Sequence, residues 1–191
     1  MLKNIIDDSG RIILGSGELY QMEFDGETLP EYAAIEVEDN RAGNIKSGAK
    51  VAYSTCSNTQ KSDNGNVSVT ILTDEIVKLT TGMITWADMW LETAIRTARK
   101  ITENVPTGHT RFHIGGLNNV SRKRWLYHFV HTFPNGGKLR LTMTGKSTGN
   151  VSINFDPENP TTVDAESTAD PIKGDGTLLI LDLYFPDTAT E

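Results

Sequence analysis

Alternation between polar and apolar positions is the commonest pattern along this chain. Arg111 to Ile114, Leu139 to Thr144 (LRLTMT) and Val151 to Phe155 (VSINF) each alternate and are bounded by Gly, Asn or Pro, as half-buried antiparallel strands are. Trp125 to Phe133 (WLYHFVHTF) places Trp125, Tyr127, Phe129, His131 and Phe133 on one face of a strand, and Leu126, His128, Val130 and Thr132 on the other. Ser147 to Asn150 (STGN) is expected to turn one strand into the next. Gly176 to Phe185 reads as a nearly continuous apolar strand suited to a sheet interior, and the last residues, 186–191, as a loose tail. The pattern predicts a mainly β protein.

One long stretch has helical period instead. From Trp86 to Ile101, the residues Trp86, Ala87, Trp90, Leu91, Ala94, Ile95, Ala98 and Ile101 fall on one arc, with Asp88, Glu92, Arg96, Arg99 and Lys100 opposite. That predicts one amphipathic helix over about 86–101, flanking a sheet. Thr85 is placed to cap it and Glu92 to pair with Arg96 at i,i+4. The two tryptophans share the apolar arc with six other residues, so core packing explains them better than a ligand platform.

Composition bounds the rest. The 191 residues suit one soluble domain over 1–191. No apolar run follows a basic start and none reaches eighteen residues, so neither a signal peptide nor a membrane span is expected, and synthesis in a cytoplasm is. Cys56 is the only cysteine, which excludes an internal disulfide. A net charge of −7 argues against nucleic-acid binding by the chain as a whole. The charge is segregated: residues 1–40 hold ten acids and two bases, 96–146 ten bases and one acid, and 147–191 nine acids and one base. Such segregation suits a subunit that meets copies of itself through unlike surfaces, unless folding intermixes the segments and cancels it.

Several apparent chemical motifs lack their context. TGKS at Thr144 to Ser147 has Arg140 where a phosphate-binding loop needs glycine, and its flanks read as strand, so it is expected to be a hairpin corner. Gly15 to Gly17 is followed by strand-like ELYQMEF, not by a helix. His109, His113, His128 and His131 have no Cys, Asp or Glu beside them at ligand spacing, and His128 and His131 point to opposite faces of one strand. No catalytic set, cofactor or metal is implied.

The order of several short segments does carry a resemblance. GSGELY (Gly15 to Tyr20), an EFDG turn (Glu23 to Gly26), an acidic IEVEDN stretch (Ile35 to Asn40), and Gly43 and Gly48 before a long hairpin come first. A TILT-acidic step (Thr70 to Glu75), GMITW leading into the helix (Gly82 to Trp86) and RFHIGGLNN (Arg111 to Asn119) follow. Asp164 to Glu166 (DAE) and an acidic Gly-Thr-Leu-Leu ending (Gly174 to Leu179) complete the series. Together they resemble the major tail (tail tube) proteins of phages and prophages of Gram-positive bacteria. The hairpin departs from that pattern after Tyr53, and its SNTQKSDNGN tip is unusually polar.

The resemblance implies a β-sandwich or barrel of two packed antiparallel sheets with one flanking helix and a protruding hairpin over about 48–80. It also implies hexameric rings that stack into a hollow tube, in a virion tail assembled in the host cytoplasm. Partners would be further copies of the chain, tape-measure and tail-completion proteins and, in a contractile tail, a sheath protein, with DNA crossing the lumen unbound and no membrane involved. Lys50 to Thr55 and Val67 to Thr80 fit two ribbons joined by a polar tip over 57–66, too long for a tight turn. Ser57, Asn58, Lys61, Asp63, Asn64, Gly65 and Asn66 are then the candidate inter-subunit residues, and Ser68, Thr70, Asp74 and Glu75 the candidate lumen-facing ones. Arg122 to Arg124 would belong to an outward or ring-to-ring surface. A monomeric carbohydrate-binding module, with Trp125 and Tyr127 as exposed platforms, is the alternative.

Overall fold

The computed structural model describes residues 17–186 except Gly65, Ala87, Asp156, 159–161 and Lys173. The start of the GSGELY motif, Gly65 in the hairpin tip and the tail from Asp187 onward lie outside the described residues. The protein is mainly β, as the alternation predicts. Strands β1 (Glu18–Phe24), β2 (Arg41–Lys61), β3 (Ser68–Trp86), β6 (Arg124–Thr132), β7 (Lys138–Asn154), β8 (Thr162–Ala169) and β9 (Ile180–Tyr184) form one antiparallel sheet in the order β6-β1-β2-β3-β8-β7-β9. Because β6 also pairs with β7, from Trp125 opposite Gly145 to Thr132 opposite Lys138, the sheet closes into a barrel with β9 attached outside the ring. Strands β4 (Arg99–Ile101) and β5 (Arg111–His113) make a second, two-stranded sheet. Short helix α1 (Tyr32–Ile35) and α2 (Asp88–Ala94) complete the elements.

Both faces of β6 are covered. Trp125 and Tyr127 join Leu19, Val77, Leu79, Met83, Met143 and Val163 in the main core, into which α2 inserts Trp90, Leu91 and Ala94. The opposite face of β6 contributes Leu126 and Val130 to a smaller cluster with Tyr20, Phe24 and Ile35, roofed by Leu29 and Tyr32. Gly145 sits where β6, β7 and β8 meet, and a β-carbon there would run into the carbonyl of Thr168.

Three sequence expectations change. The helix stops at Ala94, and Arg99–Ile101 becomes strand β4, because β5 pairs with it and hydrogen bonds to other parts of the chain hold the segment in an extended form. The Glu92 carboxylate accepts the Lys100 N–H at 2.8 Å rather than pairing with Arg96, the Arg96 carbonyl accepts Ser121 N–H at 2.7 Å, and Thr97 Oγ1 accepts Gly115 N–H at 3.2 Å. At its other end β3 runs on through Trp86, so GMITW is strand, while the expected Thr85 cap and the Trp86 ring lie outside the described side chains.

The TGKS and STGN segments do not turn the chain either. Strand β7 continues through both: it leaves β6 at Gly145 and runs on along β8, with a register irregularity between Ser147 and Val151. The Ser147 hydroxyl donates to the Ala94 carbonyl and Thr148 Oγ1 to the Glu166 carbonyl at 3.1 Å, so the small polar residues are held by neighbours instead of folding back. Finally, among the described residues β9 pairs only with β7, Lys138 opposite Tyr184 to Thr142 opposite Ile180, and is an edge strand instead of an interior one.

Candidate assembly surfaces

Strands β2 and β3 outrun the barrel. Pairing of β3 with β8 ends at Lys78 opposite Thr168, yet β2 and β3 stay paired from there out to Lys61 opposite Ser68. Over roughly ten residue pairs, at about 3.3 Å per residue, this two-stranded arm reaches on the order of 30 Å. Every described side chain from Ala52 to Asn64 and from Asn66 to Glu75 is exposed. The expected ten-residue tip is shorter than the sequence suggested, since Ser57, Asn58 and Lys61 are ladder residues. The turn proper is stitched by Ser62 N–H to the Val67 carbonyl at 2.9 Å, and by Ser62 Oγ and Asn66 N–H both donating to Asn64 Oδ1, at 2.6 and 3.2 Å. Asp63, Asn64 and Asn66 lie in it.

A bulge sorts the arm's side chains. Cys56 pairs with Asp74 and Ser57 with Leu72, which leaves Thr73 unpaired, its hydroxyl donating to the Cys56 carbonyl at 3.1 Å. Below the bulge the alternation is therefore inverted relative to the tip. Simple alternation would put Asp74 with Ser68 and Thr70; the structure instead groups Ser68, Thr70 and Glu75 on one face, with Asp74 on the other. Thr59 Oγ1 and Thr70 Oγ1 are 3.0 Å apart on the first face, and Tyr53 donates to Glu75 at 2.7 Å. That face is mostly polar, with Leu72 its exception. The second face carries Val69 and Ile71, 53% and 56% exposed, together with Asn58, Cys56 and Asp74. Inserting one residue between Cys56 and Ser57 gives Thr73 a partner, removes the bulge and sends Val69 and Ile71 to the polar side. The expected outcome is an unchanged melting temperature with association lost in sedimentation velocity.

The segregated charge is largely consumed inside the chain. Lys123 meets Glu23 at 2.7 Å, Arg124 and Lys146 each meet Asp170 at 3.4 Å, and Lys78 meets Glu166 at 3.0 Å. Glu36 is the hub: its carboxylate takes Arg140 Nε at 2.6 Å, Lys138 Nζ at 2.9 Å and His128 Nε2 at 3.4 Å. Burial by itself raises this carboxyl, but the hydrogen bonds from Arg140 and Lys138 outweigh it and bring it down to about 2. Fully buried His128 shares a 2.8 Å hydrogen bond with Thr142 Oγ1 and stacks on Tyr32, and its burial pushes the imidazole below its ordinary value. Arg140 lies over the same tyrosine ring at 4.6 Å. This clamp fastens the α1 segment to β6 and β7. Of the expected basic surface over 122–124, only Arg122 stays clear of the internal ion pairs formed by Lys123 and Arg124.

The chain matches no protein-family model and no curated protein. A carbohydrate platform at Trp125 and Tyr127 is ruled out by position: they are 5% and 4% exposed, in the main core. The exposed large apolar side chains lie elsewhere: on the arm, on β9, at Ile114 and Leu117 after β5, at Ile153 and Phe155 at the end of β7, and at Val37. Sequence reasoning found the arm but missed the β9 edge, because a run of apolar residues does not reveal which strand neighbours the fold will supply.

Proposed function

We propose that this chain is a self-assembling structural subunit, a major tail tube protein whose rings stack into the hollow tube of a phage tail or phage-like particle. One observation carries the reading: a two-stranded arm of about 30 Å whose described side chains are exposed along its length, since an isolated β-ribbon is marginal in water and gains its stability from a partner. Closed barrels with one projecting arm associate through unlike surfaces, which generate rings when the rotation closes and filaments when it does not. The order of motifs resembling tail tube proteins agrees with this. The polar arm face, with Ser68, Thr70 and Glu75, is the one we assign to the lumen, where mostly neutral and acidic groups let phosphates pass without binding; Lys61, opposite Ser68 at its tip end, is the one base there among the described residues. Asp74 then goes with Val69 and Ile71 to the packed side.

Negative-stain electron microscopy of the full chain over a concentration series tests the proposal. Rings or hollow tubes are expected. A protein that stays monomeric at the highest concentration, with and without the particle's other tail proteins, overturns it.

A further inference from the structure

We infer that the free edge of β9 is the acceptor for the arm of a second copy, which adds β3 of its arm to the sheet as a further strand. The inference rests on the assembly reading above and names the surface that the arm meets. Strand β9 ends the large sheet, its inner edge on β7 and its outer edge unpaired among the described residues. It has none of the usual protections of an exposed edge: no lysine, proline or bulge lies within Ile180–Tyr184, and its one charge, Asp182, is turned to Arg140 at 4.0 Å. Leu181 and Leu183, 55% and 48% exposed, stand two residues apart on one face. Two hollows, about 290 Å³ beside Leu29, Pro30 and Tyr32 and about 550 Å³ beside Ile172 and Thr177, meet at Ile180.

The arm has the matching features. Its β3 edge is unpaired from Ser68 to Val77 among the described residues, and Val69 and Ile71 repeat the spacing of Leu181 and Leu183, so strand addition sets apolar pairs side by side on one face. No charge lies within Val69–Ile71 to oppose Asp182. The arm's own barrel is not the acceptor, because its side chains are exposed throughout. Its exposed residues, about two dozen, equal what one side of a standard protein interface requires, roughly 20–30 residues.

Cross-linking in the full chain tests this. With Cys56→Ser as background, Ile71→Cys is combined with Leu181→Cys or with Leu183→Cys and oxidised gently at assembly concentration. A ladder of covalent oligomers is expected from at least one double variant, and only dimers from mixed single variants. Independently, Leu181→Lys/Leu183→Lys, at half-exposed positions, is expected to fold and to need at least tenfold more protein to assemble. If wild type assembles while the lysine variant does so equally and no ladder forms, the edge assignment falls and the assembly reading stands. A cross-link within a single chain also overturns the assignment. If wild type is monomeric and no ladder forms, both fall together.

Discussion

Deleting Asn58–Asn66 is expected to leave a folded barrel that no longer assembles. The deletion joins Ser57 to Val67 and leaves five residues to close the ribbon ahead of Leu72, the natural partner of Ser57. Every described side chain removed is exposed, so the cost in unfolding free energy is expected to stay within about 0.5 kcal/mol, the usual range for surface changes. Association is a different matter, because the deletion takes the turn and the end of β2, with six of the seven inter-subunit candidates, and turns Val69 and Ile71 into the closing loop. A loss of only 2.8 kcal/mol of contact energy would mean about a hundredfold rise in the concentration needed to assemble. Thermal melts and sedimentation velocity on the same samples separate the two effects. Tubes growing normally from the shortened chain would remove the arm from the assembly mechanism.

The second large effect is on stability, and it depends on pH. Glu36→Gln strips the carboxylate from Arg140 and Lys138 while keeping size and shape, and leaving Lys138 without it and Arg140 with Asp182 at 4.0 Å is expected to cost about 2–4 kcal/mol near neutrality. The Glu36 carboxyl is held at about 2 in the folded chain against 4.5 ordinarily, so its contribution is fully present above pH 4.5 and is lost as pH falls toward 2. The gap between wild type and variant should narrow over that window. His128 acts in the same direction for another reason. Its folded value lies below 6.5, so acidification from about 6.5 downward favours the unfolded chain, which takes the proton more readily. This earlier, shallower loss should survive in Glu36→Gln. Urea titrations at a series of pH values between 7 and 3 read both steps. A difference between the proteins that stays constant across the series would place the stabilising contacts of Glu36 outside its charge.

The clamp also revises what the charge distribution means. The acidic ends and basic middle of the sequence suggested surfaces that attract other copies, but Glu23, Glu36, Asp170 and Asp182 spend much of that attraction within the chain. The acids and bases that meet are about a hundred residues apart along Glu36 to Lys138 and Glu36 to Arg140. No local pattern reports such pairs. The apolar surfaces for assembly, on the arm and on β9, are more prominent in the structure than the charged ones.

Strands and most of their facing are legible along the chain, because a period of two is a local property that solvent enforces on any half-buried ladder. Trp125 to Thr132, Leu139 to Thr144 and the long hairpin are legible for that reason, as is the shared face of Trp90, Leu91 and Ala94. Where those patterns stop is set by contacts distant along the chain. The extended form of Arg99–Ile101 depends on Phe112 and the strand partner beside it, and the passage of β7 through Ser147–Asn150 depends on Ala94 and Glu166. The edge position of β9 depends on β8 occupying the rest of β7, and the grouping of Glu75 with Thr70 on one skipped partner at Thr73. In each case the competing local conformations differ by little, and hydrogen bonds to residues far along the chain choose between them.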